Sequence, residues 1–458
     1  MPYSLNLRES LYCGSQLLIG SKMLLRLREF RELWLAPCNT VEAVRRQKLS
    51  RLLDHAAAHV PYYKRLMKPG QRLRLEDFPI LTKDAIRQHF RELMTADLKK
   101  EHEAGGRRGY SWLEVKTGGT TGRPNTVIHD ARFRDYGRAA RLFAQQICGF
   151  SFGTPYVRLW GSMAEIQRLK QSRLNRLTRW LAREKIVNGF QITAEGMERC
   201  LDQMEKHRIR HLMAYVDCAI ELARFARQRG RPAPKLDSIM ACAGTVTENA
   251  RAVIEGVFEC KLHNLYGSRD CPAMACECKH GKIHVFANHV WIEVVDKNAR
   301  PVSVGQTGRI LVTLLENYSF PLIRYEIGDI GAPGTAGCAC GSSFPVLEKI
   351  EGRTVEQLET SRGDFVSPLF VIHLLGVVHN PGWIRRFRFV QCSYKEFNLW
   401  LELSETVDRG RLAQMAEALR RDLEVVFGSG CQLNVRPVEA IAPAPSGKYV
   451  CVVNEMRT

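Results

Sequence analysis

The chain has 458 residues, 45% of them hydrophobic and 25% charged. That length exceeds what one compact core usually supports, so two or more domains are expected, and the composition excludes wholesale disorder and collagen-like or coiled-coil architecture. Lys and Arg number 67 against 48 Asp and Glu, a formal charge of +19, and residues 1–108 alone hold 21 basic and 12 acidic side chains. Such a field either favours anionic partners, nucleotides or a membrane surface, or reflects solvated helix faces. There is no zinc-finger spacing, RNA-binding aromatic signature or long Lys/Arg block, so no nucleic-acid partner is expected.

The 15 Cys, scattered from Cys13 to Cys451, point to reduced thiols over a disulfide framework. Leu11 to Ile19 is broken by Cys13, Gly14, Ser15 and Gln16, and no apolar run approaches the ~20 residues of a membrane span. The N-terminus carries no secretory pattern, so a cytoplasmic protein is expected.

In chain order, residues 41–66 read as a helix, with Val41, Val44, Leu49, Leu52, Leu53, Ala56 and Ala57 near helical spacing until Pro61 interrupts. Gly105, Gly106 and Gly109 around Arg107-Arg108 suit a surface loop. Strands are expected at Trp112 to Val115, Ser238 to Ala243, Cys260 to Leu265, Val290 to Val295 and Arg309 to Leu315, with Thr247 capping a helix through Ala250, Val253 and Ile254. Alternating strand and helix patterns predict an α/β fold with substantial sheets. After about Gly352, Phe397, Leu399, Leu401 and Leu403 alternate as a strand, Leu412, Met415, Leu419, Leu423 and Val426 keep helical spacing, and Leu433 with Val435 resume alternation. A small second domain is therefore expected, giving units 1–352 (with a helical segment 1–108) and 353–458.

Five motifs carry chemistry. Lys116-Thr117-Gly118-Gly119-Thr120-Thr121-Gly122-Arg123-Pro124 offers glycines for close backbone approach, together with hydroxyl and N–H donors for phosphate, although it lacks P-loop spacing. Alone, such a segment is also an ordinary loop. The others are Tyr266-Gly267-Ser268-Arg269-Asp270, Arg324-Tyr325-Glu326-Ile327-Gly328-Asp329, Glu351-Gly352-Arg353 and Ser446-Gly447-Lys448.

In order and spacing these motifs resemble the adenylate-forming superfamily, and more narrowly the phenylacetate-CoA ligase family in its polysaccharide-cluster and coenzyme F390 synthetase-like branch. The resemblance covers residues 40–453, including His55-Ala56, Val60-Pro61-Tyr62-Tyr63 and Cys338-x-Cys340-Gly341. It implies a large N-terminal domain with a smaller mobile α+β C-terminal domain. The implied activity is activation of a small carboxylic acid by ATP to an acyl-adenylate, then transfer to a thiol such as coenzyme A. Under this resemblance Thr117, Gly118, Gly119, Thr120, Thr121 and Gly122 hold the phosphates, Tyr266, Gly267 and Ser268 lie at the nucleotide, and Asp329 accepts from the ribose hydroxyls. Arg353 lies at the hinge near the nucleotide, and Lys448 stabilises charge growing in the transition state.

Two departures stand out. Asp270 occupies the place of a Glu positioned for Mg²⁺, one methylene shorter; its other reading is a structural acid that caps or salt-bridges a neighbour. Val355-Glu356 replaces the expected acidic pair after Gly352-Arg353. Both favour a rival reading, a protein that keeps the fold as a binding or scaffold component. Within enzymes, the alternative acceptor is a carrier-protein thiol or a sugar hydroxyl or amine in polysaccharide biosynthesis.

Cys278 and His284 stand six apart, and Cys338-Ala339-Cys340-Gly341 forms a tight knuckle. Together they supply a closed Cys₃His set for a structural Zn²⁺, matching zinc positions implied for some members of the resembled branch. Cys271, Cys276 and His280 are reserve ligands, and unligated thiols are the alternative. Substrate-pocket residues are expected between Trp160 and Tyr215 and from Ala241 to Thr245. The acid's identity and a homodimeric state are left open.

Overall fold

The computed structural model of the chain describes residues 7–18, 20–66, 73–105, 112–116, 125–160, 173–188, 194–230, 232–353, 358–361, 365–366, 371, 374–375, 379, 383–403, 405–442 and 450–457. The chain divides into two compact units. Among the described residues, the first runs to Lys349 apart from Gly328–Ile330; the second takes those three residues and the chain from Ile350 onward.

Helices open the first unit: α1 (Leu7–Leu18), α2 (Met23–Trp34), α3 (Cys38–His59), α4 (Pro61–Lys64), α5 (Lys83–Gln88) and α6 (Ala96–Glu103). The long helix expected over 41–66 is therefore two. Val60 is extended, with φ −111° and ψ 114°, because the ring of the following Pro61 disfavours helical backbone at the residue before it. In α2, Met23, Leu27, Phe30 and Leu33 form one buried stripe of helical period. Lys48 of α3, 9% exposed, sets its ammonium 2.6 Å from Glu29 and 2.5 Å from Glu316 and donates to the Tyr136 hydroxyl at 2.7 Å. A buried ammonium needs that many acceptors to offset its lost hydration.

Strands β1 (Trp112–Lys116) and β2 (Thr126–Asp130) form an antiparallel pair. Asp130 then caps α7 (Ala131–Ile147) by accepting from the Phe133 amide at 2.8 Å. Next come β3 (Tyr156–Trp160), α8 (Arg173–Ala182), β4 (Glu184–Asn188), α9 (Ala194–Lys206), β5 (His211–Tyr215), α10 (Val216–Gln228), β6 (Ser238–Cys242), α11 (Glu248–Phe258) and β7 (Lys261–Tyr266). They are followed by β8 (Ala275–Glu277), β9 (Ile283–Val285), β10 (Val290–Val295), β11 (Gly308–Leu314), β12 (Tyr325–Pro333) and β13 (Val346–Arg353).

Strands β3 to β13 make one 11-stranded sheet in the order β10-β11-β12-β13-β9-β8-β7-β6-β5-β3-β4. From β4 to β7 all neighbours are parallel, and β8 and β9 turn the sheet antiparallel. All five positions of β6 are buried, as expected of a parallel strand covered on both faces. Alternate side chains point to different layers: Met213, Met240 and Leu265 join the α2 and α7 core, whereas Leu212, Ile239 and Leu262 join that of α9, α10 and α11. Thr247 caps α11 as expected, its hydroxyl accepting from the Ala250 amide at 3.1 Å.

The second unit holds the short pair β14 (Leu358–Glu359) and β15 (Phe365–Val366), then β16 (Ile384–Gln391), β17 (Glu396–Leu403), α12 (Arg409–Phe427), β18 (Gln432–Val438) and β19 (Val452–Asn454). Its main sheet has the order β18-β17-β16-β19. Phe397, Leu399 and Leu401 of β17 pack against Met415, Leu419 and Leu423 of α12, which is how the alternating and helical patterns in the sequence meet.

Candidate functional sites

Parallel sheets present their loops, and usually their ligands, at the carboxyl ends of the strands. At that end of β7 the chain makes a tight turn: the Ser268 amide donates to the Cys271 carbonyl at 2.9 Å, and the Met274 amide to the Tyr266 carbonyl at 2.8 Å. A Cβ on Gly267 would lie 2.6 Å from the Ala273 nitrogen and 3.2 Å from the Cys271 oxygen, so only glycine fits there. Ala273 within this turn and Ala243 just past β6 have left-handed backbone, φ 49° and 54°. Strain of that kind persists only where the surrounding packing imposes it.

Asp270 lies in this turn, 4% exposed. The Ser268 hydroxyl donates to its Oδ1 and the Tyr325 hydroxyl to its Oδ2, the latter at 2.5 Å. The Asp270 carbonyl accepts from His129 Nε2 at 2.9 Å. Each carboxylate oxygen thus already holds one hydroxyl proton and keeps its remaining lone-pair capacity. Tyr325 belongs to a motif singled out in the sequence, but its partner is 55 residues away and nothing local indicates the pairing. Arg324, beside it, is structural: 5% exposed, it forms an ion pair with Glu293 at 3.2 Å and donates to the Phe78 carbonyl at 3.2 Å.

Asp329 is half-buried on β12, and Arg353 ends β13. The expected phosphate-binding residues Thr117, Gly118, Gly119, Thr120, Thr121 and Gly122 lie outside the described residues, as do Val355, Glu356 and Lys448. Of the stretch from Trp160 to Tyr215 expected to line a substrate pocket, residues 161–172 and 189–193 are outside them too, and the rest includes α8, β4, α9 and β5.

The Cys and His residues converge. Cys278 follows β8, where its amide donates to the Lys282 carbonyl and its carbonyl accepts from the Gly281 amide, both at 2.9 Å. The Cys338–Gly341 turn repeats that arrangement, with the Gly341 amide 2.9 Å from the Cys338 carbonyl; Gly281 and Gly341 have φ of 79° and 86°. Ligand atoms of Cys278, His284, Cys338 and Cys340 all lie within 4.8 Å of one another. Cys278 and Cys338 sulfurs are 3.6 Å apart, and Cys340 Sγ is 3.3 Å from His284 Nε2. Zn–S and Zn–N bonds of about 2.3 and 2.0 Å place tetrahedral ligand atoms roughly 3.5–3.8 Å apart, so the donor set fits zinc.

His284 Nδ1 faces the Phe344 carbonyl at 3.3 Å, which orients the ring so that Nε2 is left toward the thiols, and the Trp34 ring stands edge-on to the imidazole at 4.9 Å. Burial lowers the pKa of His284, which keeps the imidazole in the neutral form a metal binds. Burial, joined by the neighbouring thiols, raises Cys278 and pushes Cys340 up to about 12. For Cys338 burial also raises the thiol, but hydrogen bonds from Cys340 and Cys278 bring it below its ordinary value. A bound dication offsets the desolvation of the thiolates.

Residues 358–455 match the CapK C-terminal domain family. Protein CapK of Staphylococcus aureus is 20% identical over 439 residues, 92% of this chain and 91% of CapK. Phenylacetate-coenzyme A ligase of Thermus thermophilus is 25% identical over 411 residues, 82% of this chain and 84% of the ligase. Among solved structures, 2-hydroxyisobutyryl-CoA ligase in the postadenylation state, with a bound acyl-adenylate, superposes with a TM-score of 0.67 at 19% identity, covering 93% of this chain and 92% of that one.

Proposed function

We propose, from the premise that this chain has the adenylate-forming ligase fold and is homologous to CapK and phenylacetate-CoA ligase, that it activates a small carboxylic acid with ATP and passes the acyl group to coenzyme A. One observation carries the reading: the Tyr266-Gly267-Ser268 turn falls at the carboxyl end of the parallel strands, where this class of sheet binds ligands, in a fold matched over 93% of the chain by an acyl-CoA ligase.

In this reading the acid's carboxylate attacks the α-phosphorus of ATP, the bond to the β-phosphate bridging oxygen breaks, and pyrophosphate leaves. Thr117, Thr120, Thr121 and the glycines Gly118, Gly119 and Gly122 donate to the phosphate oxygens. Asp329 accepts from the ribose hydroxyls, Arg353 lies near the nucleotide, and Lys448 stabilises the charge that develops as the acyl–phosphate bond forms. The thiolate of coenzyme A then displaces AMP from the acyl carbon. Magnesium, when bound, neutralises phosphate charge, and Asp270 is the carboxylate nearest to that task in the motif; Zn²⁺ at Cys278, His284, Cys338 and Cys340 is structural, its four protein ligands leaving no open position.

The test is pyrophosphate release by the full chain across a panel of aliphatic, aromatic and hydroxy acids, with coenzyme A, a carrier-protein thiol and a sugar compared as acceptors. Release that depends on the acid and is abolished in Lys448→Ala, with ATP still bound, supports the reading. A second reading, a fold retained for binding or scaffolding, is favoured by the Asp270 carboxylate, each of whose oxygens already accepts one hydroxyl. Nucleotide binding without pyrophosphate release for any acid would establish it.

A further inference from the structure

At the amino ends of β3 and β4, away from the turn that follows β7, lies a cavity of about 250 Å³. Its walls come from α1, α7, α8 and the first residues of β3 and β4, all in the first unit. Four guanidinium groups line it, those of Arg138, Arg141, Arg158 and Arg179, with Glu184 the one carboxylate among the lining side chains.

Glu184 is shared: its Oε1 lies 3.3 Å from Arg158 Nη1 and its Oε2 3.5 Å from Arg179 Nε, and that Nε makes no hydrogen bond among the described residues. Arg138 is held by Asp135 at 2.8 Å and by the Gln16 side-chain oxygen at 2.8 Å. Arg141 forms no ion pair among the described residues, and its side chain is exposed at the cavity edge. Four guanidinium groups thus face the single Glu184 carboxylate in a partly apolar cleft, with Asp135 bound to Arg138 outside the lining, which concentrates the field and attracts an anion.

Gln145, 5% exposed, also lines the cavity, and its amide carries two N–H donors. We infer that the cavity binds a compact dianion of the phosphate class, either inorganic phosphate or the phosphate group of a small metabolite. Guanidinium groups from three elements suit the several oxygens of a tetrahedral oxyanion better than a planar carboxylate. The volume is below that of drug-sized pockets, which start at roughly 300 Å³.

The experiment is calorimetric titration of the full chain with inorganic phosphate in a chloride buffer, repeated with glycerol phosphate. Tighter binding of glycerol phosphate assigns the site to a metabolite, and tighter binding of inorganic phosphate assigns it to the free ion. Saturating ATP is included, so that phosphate held in the nucleotide loop of the proposed ligase is displaced while phosphate in this cavity is not. Arg141→Glu, at an exposed position, should weaken binding at least tenfold, about one and a half kcal/mol, and the volume-conserving Gln145→Met should weaken it severalfold with its melting curve unchanged. The inference is overturned if neither inorganic phosphate nor glycerol phosphate binds, if ATP displaces them fully, or if both variants melt like the wild type and bind phosphate as well as it does.

Discussion

Among the buried imidazoles, those of His289 and His129 lie where water cannot solvate a cation. His289 is 0% exposed, stacked near-parallel on Phe133 at 5.0 Å, with its Nε2 3.2 Å from the Pro272 carbonyl. Burial brings its pKa down to about 3, and that of His129 to about 4. The unfolded chain titrates near 6.5, so below that value the unfolded state takes up protons that the native state refuses. The stabilisation is complete above about pH 6.5 and is lost as pH falls toward 4 and then 3, by about 1.4 kcal/mol per unit for each histidine. Urea midpoints measured between about pH 7 and about pH 5 should therefore fall with acidity, and His289→Phe, which keeps the stack, should make that fall shallower by at most about 1.4 kcal/mol per pH unit, with His129 and the other buried histidines supplying the rest. A variant with the wild-type pH profile would remove His289 from the account.

At the scale of elements, the turn after β7 and the Cys/His clip each rest on a few close approaches. Adding one methyl in Gly267→Ala drives a carbon to 2.6 Å from backbone, and overpacking of that kind costs about 1–3 kcal/mol. The same shift displaces Ser268 and Asp270, so nucleotide binding should weaken along with the melting temperature; wild-type values for both would show that the turn has slack. The clip joins the β8–β9 hairpin to the 338–341 turn. Metal analysis of untagged protein should find about one zinc per chain, and chelation or Cys340→Ser should lower the melting temperature; near-zero metal in folded, stable protein would exclude the site. Strands β6, β7, β10 and β11 were legible because each reads as a short apolar run bounded by turns, whereas β8 and β9, three residues each, were not; the four zinc-type ligands were legible because each pair is close in sequence. Tyr325 on Asp270 and the arginines around Gln145 were not legible, since their partners meet only through sheet order and helix packing. Helix α1 was read only as too broken to span a membrane; among the described residues no helix is long and apolar enough to do so.

For the whole molecule, the sequence resemblance to the adenylate-forming superfamily is supported by a TM-score of 0.67 and by relatives aligned over most of the chain. In the proposed reaction the site residues come from the motifs of the resembled family, and Asp270 is one of the two places where this chain departs from them. A glutamate there would have to fit a site that is 4% exposed and already bonded to Ser268 and Tyr325, so the shorter side chain and its two hydroxyl partners form one arrangement. The most direct measurement is mass spectrometry of the full chain incubated with ATP, Mg²⁺ and a panel of carboxylic acids, without any thiol acceptor. The account predicts an acyl-adenylate matching the mass of the accepted acid, formed with an equal amount of pyrophosphate and absent in Lys448→Ala. It is contradicted by protein that binds nucleotide yet yields no acyl-adenylate with any acid, or that splits ATP to ADP and phosphate.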